Sequence, residues 1–265
     1  MSGTSMVGTI ARFLGSLLLS FVLILALWWL FLAAFPSTDF IGRSPVEVYQ
    51  ALFTDSTAET FRSDIFHNLG ITLQDTGIGF ATGMIAAVVV AAVFVMFRPA
   101  AQTFMPLAML LRSVPLVAMT PLITIIVGRG PACVAVMGGI IVFFPALVMI
   151  MTGLNNAPRQ IDDVITAYGG TPATSMLMAK LPSAVPSLFA AAKVSVPGAM
   201  IGATVAEWLG TNQGLGSTLQ QALPAAKYDE LWASVAVITV SSILLYAAVG
   251  VIEKIVLSAM GSQAT

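Results

Sequence analysis

Among 265 residues there is one cysteine, Cys133, and one histidine, His67. A single thiol excludes a disulfide framework, and with one imidazole a zinc or iron site built by this chain alone is not available. Cys133 reads instead as a small buried hydrophobe. Charge is nearly as scarce: 9% of residues are Asp, Glu, Lys or Arg, the net charge is -1, and the 11 basic residues are scattered, which excludes a nucleic-acid surface. No glycine-rich phosphate loop of the form GxxxxGK followed by Ser or Thr occurs, so any ATP chemistry must come from another polypeptide. A nucleophile with its base at membrane depth is missing too, which argues against a membrane-embedded enzyme.

What the chain has is apolar sequence, 58% of it, with no need for so much in a water-soluble domain. The expected class is therefore an all-α integral membrane protein. Spans are expected at about residues 13–35, 71–97, 104–127, 133–154, 190–209 and 231–257, six in all. The first, with Trp28 and Trp29, reaches about 35 Å as a helix. That run exceeds the h-region of a signal peptide, so a retained span is the expectation. Between the first two spans, Ser44-Pro45 reads as an N-cap and first-turn proline of a short surface helix reaching Leu52. With the N-terminus inside, Arg12, Arg98, Arg159, Lys180 and Lys254 fall on the cytoplasmic side against Arg43, Arg62, Arg129 and Lys227 outside. Asp39 and most other acids then lie outside, and both termini are expected in the cytoplasm.

Two spans carry small residues every fourth position: Gly79, Gly83, Ala87 and Ala91, then Gly198, Gly202, Ala206 and Gly210. Such stripes let helix backbones approach closely. Arg112-Ser113-Val114-Pro115 and Pro121 should bend or break the third span. Arg112 lies about 12 Å into it, where a charge either serves the pathway or snorkels to the headgroups. Glu207 and Lys193 are about 21 Å apart along the fifth span and cannot pair with each other. Glu207 reads as a conformation-holding group or external gate contact, and Lys193 as interfacial.

The longest polar interruption of the second half is residues 155–186. Pro158 suits a first helical turn, Asp162 and Asp163 lie near its start, and Gly169-Gly170 supplies a left-handed stop. A helix of two or three turns outside the bilayer is expected. Leu181-Pro182 and Val185-Pro186 should then bend the chain back.

This stretch resembles the cytoplasmic loop of ABC importer permeases, whose pattern is E-A-A, three residues, Gly, nine residues, Ile, any residue, Leu-Pro. Asp163-Val164-Ile165, Gly169, Ala179 and Leu181-Pro182 keep that spacing while three residue types differ and the acid is one methylene shorter. Ala206-Glu207-Trp208-Leu209-Gly210 followed by Gly214-Leu215-Gly216 is similar to the branch for nitrate, sulfonates, taurine and bicarbonate. So are Arg112-x-x-Pro115, Pro121-Leu122, Gly128-x-Gly130 and Phe144-Pro145-x-Leu147. Ile126-Val127 departs from that branch, where an aromatic commonly precedes the first glycine.

The resemblance implies a type I ABC importer permease fold in a bacterial inner membrane. Residues 1–70 form a first helix and external segment, 71–258 a core permease domain with its coupling loop at 155–186, and 259–265 a tail. It implies a second copy of the permease, two cytoplasmic ABC ATPase subunits carrying ATP and Mg, and an extracytoplasmic binding protein, with no cofactor on this chain. Coupling to the ATPase falls to Asp162, Asp163, Ala167, Gly169, Gly170, Leu181 and Pro182. The substrate pathway falls to Arg112, Pro115 and Glu207, and helix packing to Gly79, Gly83, Gly198 and Gly202. The implied solute is a small anion such as a sulfonate, taurine or nitrate, with a pyrimidine precursor, flavin or aromatic acid as the alternative. A secondary transporter or channel is the remaining reading.

Overall fold

The computed structural model describes residues 4–35 and 40–261. Asp39, the side chain of Arg12 and residues 262–265 of the expected tail lie outside the described set. Every regular element among the described residues is helical: α1 (Thr4–Ala34), α2 (Pro45–Phe53), α3 (Ala58–Met96), α4 (Arg98–Arg112), α5 (Leu116–Val127), α6 (Pro131–Asn155), α7 (Arg159–Ala167), α8 (Pro172–Ser175), α9 (Leu181–Ala206), α10 (Gly214–Ala222) and α11 (Tyr228–Ala259). π-turns, Met176–Lys180 and Glu207–Thr211, flank α9.

Four helical segments are long and apolar enough to cross a bilayer: Ala58–Met96, Pro131–Asn155, Pro172–Thr211 and Tyr228–Ala259. α4 and α5 together qualify as a fifth, bent by 104°. The break at Ser113-Val114-Pro115 is where proline chemistry puts it, because Pro115 cannot donate to the preceding turn and caps α5 in an extended conformation. The span expected at residues 13–35 corresponds to a shorter apolar stretch, Leu18–Ala34, within α1.

Two boundaries differ from those read in the sequence. α3 begins at Ala58, well before residue 71, because its first turns carry Glu59, Arg62, Asp64 and His67 and hydropathy registers only the apolar continuation. The chain does not bend back at Leu181-Pro182 and Val185-Pro186 either: a helical segment runs unbroken from Pro172 to Thr211. The Leu181 N–H reaches the Met176 carbonyl five residues back, and this wider turn makes room for the Pro182 ring that an α-helix would crowd.

The chain divides into two compact units, Met1–Ile65 with Gln221–Ser234, and Phe66–Gln220 with Val235–Thr265. Residues 221–234, counted with the core by sequence, therefore group with the N-terminal segment. Side-chain chemistry explains it. Arg43 Nε donates to Asp229 at 2.5 Å, Trp232 Nε1 donates to the Ile41 carbonyl at 2.9 Å, and Trp28 stacks on Trp232 with centroids 5.4 Å apart. In the same unit α2 opens on a capping box, Ser44 accepting from the Glu47 N–H while the Glu47 carboxylate accepts from the Ser44 N–H. Val48 and Leu52 of α2 are buried, and Val46, Tyr49 and Phe53 are exposed.

In the second unit α6 packs most extensively against α9. Glycine decides how closely. A Cβ placed on Gly138 of α6 would come within 2.8 Å of the Gly79 Cα on α3, and one placed on Gly202 of α9 within 2.7 Å of the Gly138 Cα. Three backbones thus meet at Gly138 with no side chain between them. Above and below this point Met137, Val142, Leu147, Ile150 and Leu154 are almost fully buried. Gly83 lies against Val142, Gly198 against Ile141, and Gly210 against Cys133.

Candidate functional site

The polar stretch after α6 folds into a compact device. α7 starts at Arg159, one residue after Pro158, and ends in a Schellman motif: the Gly169 N–H donates to the Thr166 carbonyl at 3.0 Å and the Gly170 N–H to the Ile165 carbonyl at 2.8 Å. Gly169 has φ +80°, the left-handed conformation that side chains resist. Gly170 is required for a different reason, since any Cβ there would collide with Ile165.

The two acids of α7 diverge. Asp162 turns inward, accepting from the Ser175 hydroxyl and facing Lys180 Nζ at 3.5 Å, so it ties α7 to the beginning of the long helical segment. Asp163 is exposed. Ala167 is exposed, and Leu181 packs against the core while Pro182 follows the π-turn. The sequence reading missed a third feature. Ile161, Val164 and Tyr168, spaced i, i+3, i+7, form an apolar stripe exposed by 43, 56 and 89%. The helix lies in a polar segment, so lipid does not account for that exposure. The i, i+3, i+7 spacing is present in the sequence, but the adjoining Asp162 and Asp163 give the segment a polar character.

The Ser175 hydrogen bond and, with it, the Lys180 ammonium hold the Asp162 carboxyl below the usual aspartate range. A depressed value means the tie contributes at neutral pH and is lost as pH falls through the folded value. Hydrogen exchange over residues 159–175, corrected for intrinsic rates, should stay flat from about pH 8 to about pH 5 and accelerate only below about pH 4. Asp162→Asn should abolish that dependence. Protection already fading between pH 7 and pH 5 would contradict the tie.

Arg112 and Pro115 flank the α4–α5 break, Arg112 exposed in the last turn of α4, where a cation complements the helix dipole. Glu207, expected as a conformation-holding group or external gate contact of the pathway, is enclosed by the chain itself. Its side chain is fully buried, and Oε2 accepts from Thr72 Oγ1 at 2.9 Å and from the Gly216 N–H at 2.7 Å. Lys193, expected at the interface, pairs with Glu253 of α11 at 2.6 Å. Among the described residues no group of three His, Cys, Asp or Glu side chains could hold a metal ion.

Residues 79–261 match the family described as "Binding-protein-dependent transport system inner membrane component". The chain belongs to that family. As an ABC transporter permease it has named relatives. A "Probable ABC transporter permease protein" of Haemophilus influenzae is 28% identical over 81% of this chain and 84% of its own. The "Formylaminopyrimidine transport permease protein ThiX" of Halalkalibacterium halodurans is 25% identical over 89% of this permease and 93% of its own length. The "Putative aliphatic sulfonates transport permease protein SsuC" of Bacillus subtilis is 22% identical over 72% and 69%. In fold, the permease resembles a chain of the inward-facing MetNI methionine ABC transporter, with a TM-score of 0.61 at 20% identity, covering 77% of this chain and 99% of that one.

Proposed function

We propose that this permease is the membrane-spanning half of an ATP-driven importer, working as a pair and moved from the cytosol through α7. The observation that carries this reading is the exposed apolar stripe Ile161–Val164–Tyr168 on a short, rigidly terminated helix beside Asp163. A helix with one apolar face and an adjacent anion fits a groove on a partner protein. Asp162 stiffens it by tying it to the long helical segment, so a push on α7 is delivered to α9. In this reading α1 supplies the sixth span, both termini are cytoplasmic, and Arg112 and Pro115 lie on the pathway at the α4–α5 bend. The ATPase subunits and the binding protein are separate chains, and the membrane is a bacterial inner membrane.

For the solute, two classes stand: a small anion such as a sulfonate, and a pyrimidine precursor. The pyrimidine reading draws support from the longer match to the formylaminopyrimidine relative, 89% of this chain against 72% for the sulfonate relative. The test is uptake into proteoliposomes holding the permease with its co-expressed ATPase and binding protein. ATP-dependent accumulation of radiolabelled formylaminopyrimidine, with ethanesulfonate excluded, is the expected result. Flux through the permease alone without ATP would overturn the importer reading.

A further inference from the structure

α10 is attached to the second unit by side-chain bonds more than by backbone continuity. The helix before it ends in the π-turn Glu207–Thr211, Asn212 sits left-handed at φ 56°, and Gly214 has φ +78°. Past this irregular link, the first amides of α10 have no helical acceptors of their own. Glu207 and Thr72 supply them. The Gly216 N–H donates to Glu207 Oε2 at 2.7 Å and the Leu215 N–H to Thr72 Oγ1 at 2.9 Å, while that same hydroxyl donates to Glu207 Oε2 at 2.9 Å. One carboxylate oxygen therefore closes a three-way junction of α3, the end of α9 and the start of α10. The other oxygen, Oε1, is buried with no partner.

The fit leaves no slack. A Cβ on Gly214 would strike the Glu207 carboxylate, and one on Gly216 would strike the Thr204 carbonyl and the Glu207 Cβ. Leu215 and Glu207 are both fully buried. A buried carboxylate facing amides at a helix start is also stabilised by the positive end of that helix, without a lysine or arginine.

We propose that Glu207, bonding the Gly216 amide directly and the Leu215 amide through Thr72, is the positioning residue that seats α10 against α3 and α9, and that unseating α10 is the step by which the outer end of the pathway opens. This rests on the importer reading above. Because a single oxygen accepts both bonds, a carbonyl suffices at this position and the charge is dispensable.

The experiment places a reporter thiol at Leu215 (L215C) in the permease co-expressed with its ATPase in membrane vesicles, and follows labelling by a membrane-impermeant maleimide. The L215C thiol should label at least tenfold more slowly than an L223C thiol, Leu223 being exposed. Adding Glu207→Ala should accelerate L215C labelling tenfold or more, Thr72→Val at least threefold, and Glu207→Gln less than twofold. In the same vesicles Glu207→Ala should hydrolyse ATP without the binding protein at several times the wild-type rate, with Glu207→Gln retaining dependence on it. Glutamine exposing Leu215 as fully as alanine does, or alanine and valine both leaving it protected, would overturn the proposal. Wild-type ATP hydrolysis indifferent to the binding protein would overturn the importer reading instead, with the labelling result unaffected.

Discussion

Gly138→Leu should remove nearly all folded permease from the membrane fraction. At Gly138 the α6 backbone lies against Gly79 on α3 and Gly202 on α9, and even a methyl group would sit 2.8 Å from the Gly79 Cα. Backbone atoms cannot swing aside as a side chain could, so the helices must separate. Overpacking by a methylene or two typically costs about 1–3 kcal/mol where side chains yield, and an isobutyl group against the Gly79 backbone costs more. Separation would also open the buried layer of Met137, Val142 and Leu147. The control is Gly77→Leu, since nothing lies within 4 Å of a Cβ at Gly77. Detergent-extracted yield and a thermal melt by size exclusion measure both. Gly138→Leu recovered at the Gly77→Leu yield with an unchanged melting temperature would refute the triple contact.

Val164→Arg should have an equally large effect of another kind, leaving the permease intact and severing it from its ATPase. Val164 is 56% exposed, so a long polar side chain meets no internal obstacle, and arginine favours helix. A charge at the centre of an apolar docking stripe, however, would be buried unpaired. Central interface positions of this type are worth about 2 kcal/mol or more, which is about thirtyfold in affinity. Pull-down of the co-expressed ATPase should therefore fall by that order, with permease yield and melting temperature unchanged. Full retention of the ATPase would refute α7 as the docking element.

These two sites differ in how readily the sequence shows them. The end of α7 was legible because a Schellman motif is local: Gly169 and Gly170 lie within six residues of every group they serve. The break at Pro115 was legible for the same reason. Four-residue glycine stripes disclosed that backbones approach on α3 and α9, yet nothing in spacing says that one residue of α6 lies against both neighbours. Glu207 was harder still. Its partners are Thr72, 135 positions away, and an amide that any residue but proline would offer. The π-turn before Pro182 left no mark either, because proline reads as a helix breaker until one extra residue per turn absorbs it.

The meeting of α3, α6 and α9 at Gly138 also limits how the core can deform. Side chains act as cushions, letting neighbouring helices draw apart slightly while remaining in touch. Where main chain rests on main chain there is nothing to extend, so the three rods can swivel about that point but cannot part there without losing all contact. The junction is therefore an axle. On the importer reading, displacement delivered at the α7 end would become tilt at the far end, and the long travel would fall to jointed parts of the chain, such as the elbow between α4 and α5 and the left-handed glycines Gly128 and Gly130 that follow it.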